Sequence, residues 1–157
     1  MYYEKFPNHG LMVNKAKDNV GKKHGRPCFF VFEDTAKKGI LWLVPISCQY
    51  DKYKAIYDKN IKNYGKCSFI RFGEVLGGQA AFLIQNMCPV TEKYIKEIYV
   101  DKNNNPIMID NRVAQDVISN AKATLAKVKR GAKLVFTKIK EIEKVLSAEL
   151  EADKTVL

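Results

Sequence analysis

The chain has 157 residues, with 27 Lys+Arg against 17 Asp+Glu, a net charge of +10 and a sequence pI of about 9.4. Hydrophobic residues make up 46% and aromatic residues 11%, enough for one folded core over 1–157 and too many for a disordered tail. No apolar run reaches the roughly 18 residues of a membrane span, and the opening MYYEKFPNHG lacks the basic-then-apolar pattern of a secretory leader, so a soluble, cytoplasmic protein is expected.

The first charged segment, KAKDNVGKKHGR at 15–26, carries Lys15, Lys17, Lys22, Lys23 and Arg26 against Asp18, and its glycines mark an exposed loop. Pro27 to Glu33 (PCFFVFE) is β-branched and aromatic and reads as a strand. DTAKKG at 34–39 is a hairpin turn. Gly39 to Ile46 (GILWLVPI) is a second strand, apolar on both faces and therefore central in a sheet. Pro45 has no amide donor, so the strand is expected to end or bulge there.

Ser47 stands where an N-cap belongs. Tyr53, Ile56, Tyr57, Ile61 and Tyr64 repeat at helical spacing behind it, and Gly65 is a C-terminal stop. Cys67 to Phe72 and Gln79 to Gln85 read as strands joined through Gly73 and Gly77-Gly78. Ile98 to Val100 reads as a strand end, DKNNN at 101–105 as a turn, and Pro106 to Ile109 as a short strand. Asp110 or Asn111 caps a helix from about Arg112 to Arg130, with one apolar stripe of Val113, Val117, Ile118, Ala121, Leu125 and Val128. A last helix from about Leu134 to Glu151 buries Val135, Ile139, Ile142, Leu146 and Leu150. The two are expected to form a C-terminal helical hairpin with a basic turn. The fold class is α+β, an antiparallel sheet with packed helices.

Cys28, Cys48, Cys67 and Cys88 lie about twenty residues apart with no CxxC pair. Neither a zinc site nor any other metal or cofactor is expected, and the thiols read as reduced and mostly buried. The second basic group is Lys127, Lys129, Arg130, Lys133, Lys138 and Lys140, after which the chain turns acidic at Glu149, Glu151 and Asp153. Such clusters point to a polyanion. An acidic lipid surface or an acidic protein partner are the alternatives.

The chemistry-bearing stretch is VPISCQYDKYK. Ser47 and the amides that follow it form a helix N-terminus, a ready phosphate site, and Lys52 and Lys54 add full charges. The bland alternative is a simple cap with solvated lysines. A hairpin of the first two strands places Arg26 level with the far end of the second strand, near Ser47, to within a two-residue slip of register, and His24 precedes the same strand. A histidine can move protons, an arginine can hold a phosphate, and a helix-terminal hydroxyl can stabilise an oxyanion. These are the parts for metal-free RNA cleavage through the 2′-hydroxyl. His24 could equally be a loop residue without a role. Tyr50, Tyr53, Tyr57 and Tyr64 could stack on bases or fill the core. No phosphate-loop, HExxH, GxSxG or GxGxxG pattern is present.

RPCFFVF, then GILWLVPISC, then AFLIQNMCPVTEKYI, in that order and spacing, resemble the toxins of type III toxin–antitoxin systems, the ToxN/AbiQ family, in its CptN-like and TenpN-like branches. The likeness runs from Tyr2 to about Leu150. It implies a strongly twisted antiparallel sheet like that of the Kid/MazF toxins. It further implies a metal-independent endoribonuclease that leaves a 2′,3′-cyclic phosphate and serves in abortive infection against phage. The implied partners are cellular RNA substrates and a non-coding RNA antitoxin, cut by the toxin into pseudoknots that inhibit it in closed toxin–RNA assemblies. Ser47 matches one of the family's two hydroxyls, whereas Cys48 replaces the other. Lys52 matches the nearby lysine at a longer spacing, and Arg26 or His24 matches a basic residue before the preceding strand. If that residue is Arg26, which stays protonated, proton transfer falls to Lys52 or His24. The expected catalytic set is thus Ser47, Lys52, Arg26 and His24. The expected RNA-binding set is Lys15, Lys17, Lys22, Lys23, Tyr50, Lys54, Arg71, Asn86, Lys129, Arg130 and Lys133. The runner-up is a non-catalytic RNA-binding protein.

Overall fold

The computed structural model describes residues 2–12 and 26–155. Strand β2 (Leu41–Ser47) is the axis of the sheet. Along one edge it pairs antiparallel with β1 (Cys28–Glu33), from Cys28 opposite Pro45 to Glu33 opposite Leu41. Its other edge is shared. Ile46 and Ser47 pair with β4 (Gly78–Leu83), and Leu41 to Leu43 pair with β5 (Cys88–Val90). A 3-10 turn, Ile84–Asn86, separates β4 from β5. Ile46 faces Phe82 and Leu43 faces Cys88, so three steps along β2 match six on the other strand; the three-residue turn takes up the difference. β3 (Ile70–Val75) folds back on β4, giving the order β1-β2-β4-β3 in a curled antiparallel sheet.

The expected central position of β2 is borne out, and the effect of Pro45 is different from the expectation. β2 runs through it to Ser47. Ile46 N–H donates to Pro27 on the β1 side, so the Pro45 nitrogen faces the other edge, where the partner changes from β5 to β4. No ladder donor is needed at that gap.

Helices α1 (Tyr2–Lys5), α2 (Tyr50–Tyr64), α3 (Asn111–Lys129) and α4 (Ile139–Thr155) pack on the sheet. α3 lies on β1 and β3, α4 on β5 and α2 on β4. The main core joins Trp42, Val44, Phe82 and Ile84 to Val117, Ala121 and Leu125 of α3 and to Ile142 and Leu146 of α4. A smaller core under α2 holds Tyr53, Cys67, Ile70, Ala81 and Leu83. β4 thus buries both faces, which is why its sequence is apolar without alternation. A Cβ on Gly73 would sit 2.5 Å from a Val113 methyl, so glycine permits α3 to lie this close to β3.

Asp110 caps α3, accepting from the amides of Arg112 and Val113, and Gly65 closes α2 in the left-handed conformation at φ +74°. Other boundaries move. β3 begins at Ile70, not Cys67, and contains Gly73. No strand covers 98–100 or 106–109; a single bridge joins Val100 to Pro106. Asp101 Oδ1 accepts from the amides of Asn103 and Asn105 and holds the turn, but its exposed flanks have no sheet edge to join. α4 starts at Ile139, not Leu134, because Phe136 N–H bonds to Gln85 O and keeps the preceding stretch non-helical. α1 has no counterpart in the sequence reading.

Candidate functional site

The corner where β2 gives way to α2 is built by strand register. Cys28 lies opposite Pro45, and continuing the pair outward sets Arg26 opposite Ser47, as the hairpin reading expects. Arg26 Nη1 reaches Ile46 O at 3.5 Å, and the buried Nε has no hydrogen-bond partner among the described residues. Tyr3 braces this end of the chain, its hydroxyl accepting from Arg26 N–H at 3.4 Å. Burial, with Cys28 nearby, pushes the Tyr3 phenol up to about 12 despite the Arg26 amide and charge, so it remains protonated near neutrality.

Ser47 is 2% exposed. It is not the cap of α2: its Oγ accepts from Gln49 N–H at 3.2 Å, and Gln49 occupies the cap position without a capping side chain. The chain needs two further residues to turn out of β2 before helical geometry begins. Among the described residues, no capping side chain accepts from the first turn of α2, which carries Asp51 beside Lys52. Lys52 is an exposed cation in that first turn, its Nζ 5.2 Å from the Tyr53 ring. A cation there opposes the helix dipole. Tyr50 is half-buried, edge-on to Phe72 at 5.2 Å, and Lys54 pairs with Asp58 at 2.7 Å.

The remaining expected residues lie elsewhere. Arg71 ties β3 to α3, with Nε 2.6 Å from Asp116 Oδ2 and Nη1 3.3 Å from Cys67 O. Lys129 Nζ is 3.0 Å from Asp34 Oδ2 at the opposite end of β2. Asn86 is buried in the 3-10 turn. Arg130 and Lys133 are exposed in the α3–α4 connection. His24, Lys15, Lys17, Lys22 and Lys23 lie outside the described residues. Tyr3 is the contact that sequence reasoning missed. The Tyr2–Phe6 spacing in MYYEKF was its only signal, too short to separate from chance.

Cys48 is exposed beside Ser47, unlike the expected buried thiol, whereas Cys67 and Cys88 are buried. Burial raises the Cys28 thiol and pushes Cys88 up to about 12, which keeps both as inert thiols. Among the described residues no three His, Cys, Asp or Glu side chains are grouped to hold a metal ion, and no helix is long and apolar enough to cross a membrane. The corner sets Arg26, by register, opposite the end of β2 from which the first turn of α2 follows, and a guanidinium and helix amides are groups that can hold an anion. No protein-family model and no curated protein matches the chain.

Proposed function

We propose that the protein is a metal-independent endoribonuclease toxin of a type III toxin–antitoxin system, acting in the cytoplasm. The observation that carries this reading is the β1–β2 register, which sets Arg26 against Ser47 at the uncapped start of α2. Arg26 and the α2 amides hold the non-bridging oxygens of the scissile phosphate, and Ser47, its Oγ accepting from Gln49 N–H, sets the turn that presents those amides. The RNA 2′-oxygen attacks phosphorus and loses its proton to the imidazole of His24. The bond from phosphorus to the 5′-oxygen breaks, and that oxygen takes up a proton from the Lys52 ammonium. A 2′,3′-cyclic phosphate and a 5′-hydroxyl remain. Arg26 stabilises the extra charge that develops on the phosphate oxygens during this step. The sequence resemblance and the +10 charge support the choice of RNA, and extend it to a pseudoknot RNA antitoxin that the toxin processes and then retains in a closed assembly.

One observation favours a non-catalytic RNA-binding protein instead: Ser47 is buried, and its oxygen already accepts from Gln49. A single experiment separates the two. The purified protein, freed of bound RNA, is incubated with total RNA in EDTA beside Ser47→Ala and Lys52→Ala. Cleavage to cyclic-phosphate ends by the wild type, lost in the variants at unchanged circular dichroism, is the expected result. Intact RNA throughout, with RNA still bound, establishes the non-catalytic reading.

A further inference from the structure

Phe136 combines a fixed backbone with an open ring. Its side chain belongs to a residue that is 69% exposed, on the α3–α4 connection. Its N–H donates to Gln85 O at 2.8 Å, pinning it to the 3-10 turn between β4 and β5. Two residues on, Lys138 N–H donates to His9 O at 2.8 Å. The Phe136 carbonyl is pressed against Gly10, where a Cβ would fall 2.2 Å from the oxygen and where φ is +73°. The stretch faces in and out by turns: Val135 is half-buried and Thr137 buried, while Leu134 and Phe136 are exposed. Packing accounts for the inner pair and leaves the outer pair without a function in the fold.

The surroundings in the chain are strongly basic. No acidic residue occurs from Val117 to Lys140, and exposed Arg130, Lys133, Lys138 and Lys140 flank Phe136 in the sequence. An apolar partner helix would gain nothing from this charge, whereas a polyanion that also carries flat rings would use both features. A ring on an immobilised backbone loses little entropy when a base stacks on it.

We infer that Phe136 is a stacking platform for an unpaired base of bound RNA, with the flanking lysines and Arg130 on its phosphates. The inference rests on the RNA reading above but not on cleavage.

The test is equilibrium binding of a fluorescent 2′-O-methyl oligouridylate, which cannot cyclise, to the full chain at low and at high salt. An abasic oligomer of the same length serves as the second probe. The expected result is that Phe136→Ala weakens oligouridylate binding roughly 5- to 150-fold, the range of one lost stack. Phe136→Trp retains the affinity, the abasic oligomer is insensitive to Phe136→Ala, and the salt slope is unchanged. Equal affinity of wild type and Phe136→Ala overturns the inference, as does full retention by Phe136→Leu, which keeps bulk without a π face. A concentration-dependent dimer lost in Phe136→Ala, with RNA affinity intact, overturns it in favour of a second copy. RNA bound through Phe136 with no cleavage of natural RNA retains the platform and removes the nuclease. Cleavage with Phe136 irrelevant retains the nuclease and removes the platform. No binding of either oligomer removes the platform, whatever natural RNA cleavage shows.

Discussion

The two ends of β2 handle charge in opposite ways. At its start, buried Asp34 accepts four hydrogen bonds: Oδ1 from the amides of Ala36 and Lys37, Oδ2 from Trp42 Nε1 and Lys129 Nζ. Burial alone would raise this carboxyl, but the donors outweigh it and hold the group at about 2. At its end the balance is reversed, with donors in surplus. Among the described residues, Arg26 Nε is buried without a partner, α2 has no capping side chain, and Lys52 stands beside Asp51 in its first turn. Under the proposed function, the strand completes its polar network at one end and leaves donors for a phosphate at the other.

The comparison breaks first at Arg26. Arg26→Ala is expected to lower the RNA cleavage rate by about 10²–10³, the usual cost of one lost oxyanion donor. Its melting temperature should barely change, because among the described residues the guanidinium makes a single hydrogen bond, 3.5 Å to Ile46 O. Single-turnover rates in EDTA and thermal melts of the same samples check both halves. A large drop in melting temperature would make Arg26 a structural residue and remove the contrast.

Asp34→Ala should show the reverse pattern. It leaves Trp42 Nε1 buried without an acceptor and strips Lys129 of its partner. The expected loss is about 2–3 kcal/mol of unfolding free energy, read by urea titration, with cleavage per folded molecule unchanged. The same network predicts the acid limb of stability. The Asp34 carboxyl is lowered from 3.8 to about 2, so its contribution is complete above about pH 4 and is lost as pH falls toward 2. That amounts to about 2 kcal/mol at 1.36 kcal/mol per unit. Stability measured from pH 5 to pH 2 should fall less in Asp34→Ala than in the wild type.

These pairings also explain what the sequence could and could not convey. The β1–β2 hairpin, the α2 stripe and its Gly65 stop are local patterns, and each was legible. The Arg26–Ser47 juxtaposition followed from the hairpin alone, because register is local information. Lys129 looked like part of a basic surface because its partner Asp34 is 95 residues away. Arg71 pairs with Asp116 across 45 residues. The 3-10 turn at Ile84–Asn86 was hidden inside the apolar run AFLIQNMCPV, which carries no glycine and no proline before Pro89. Ser47 was read as a cap because residue type marks a helix start only to within a turn.

A more modest contrast separates the basic residues. Lys133→Ala should weaken RNA binding and reduce the slope of log affinity against log salt by about 1, since one phosphate contact is lost. Lys129→Ala should change that slope little and instead lower stability, its Nζ being engaged by Asp34. Titrations at several salt concentrations, with urea curves alongside, distinguish the two lysines. Equal slope changes would show that Lys129 leaves Asp34 for phosphate when RNA binds.

The smallest effect is the most diagnostic, because it separates stability from activity in opposite directions. Gln49→Asp supplies the side-chain cap that α2 lacks. A capping carboxylate satisfies a first-turn amide and complements the helix dipole, so the variant should be more stable by about 0.5–1 kcal/mol. The same carboxylate occupies the amides proposed for phosphate and adds negative charge beside Arg26, so RNA binding and cleavage should both fall. Gln49→Ser caps without a charge and should fall between Gln49→Asp and wild type in activity. If the capped variants gain stability and keep full cleavage, the phosphate does not sit on the α2 amides, and Arg26 must hold it without them.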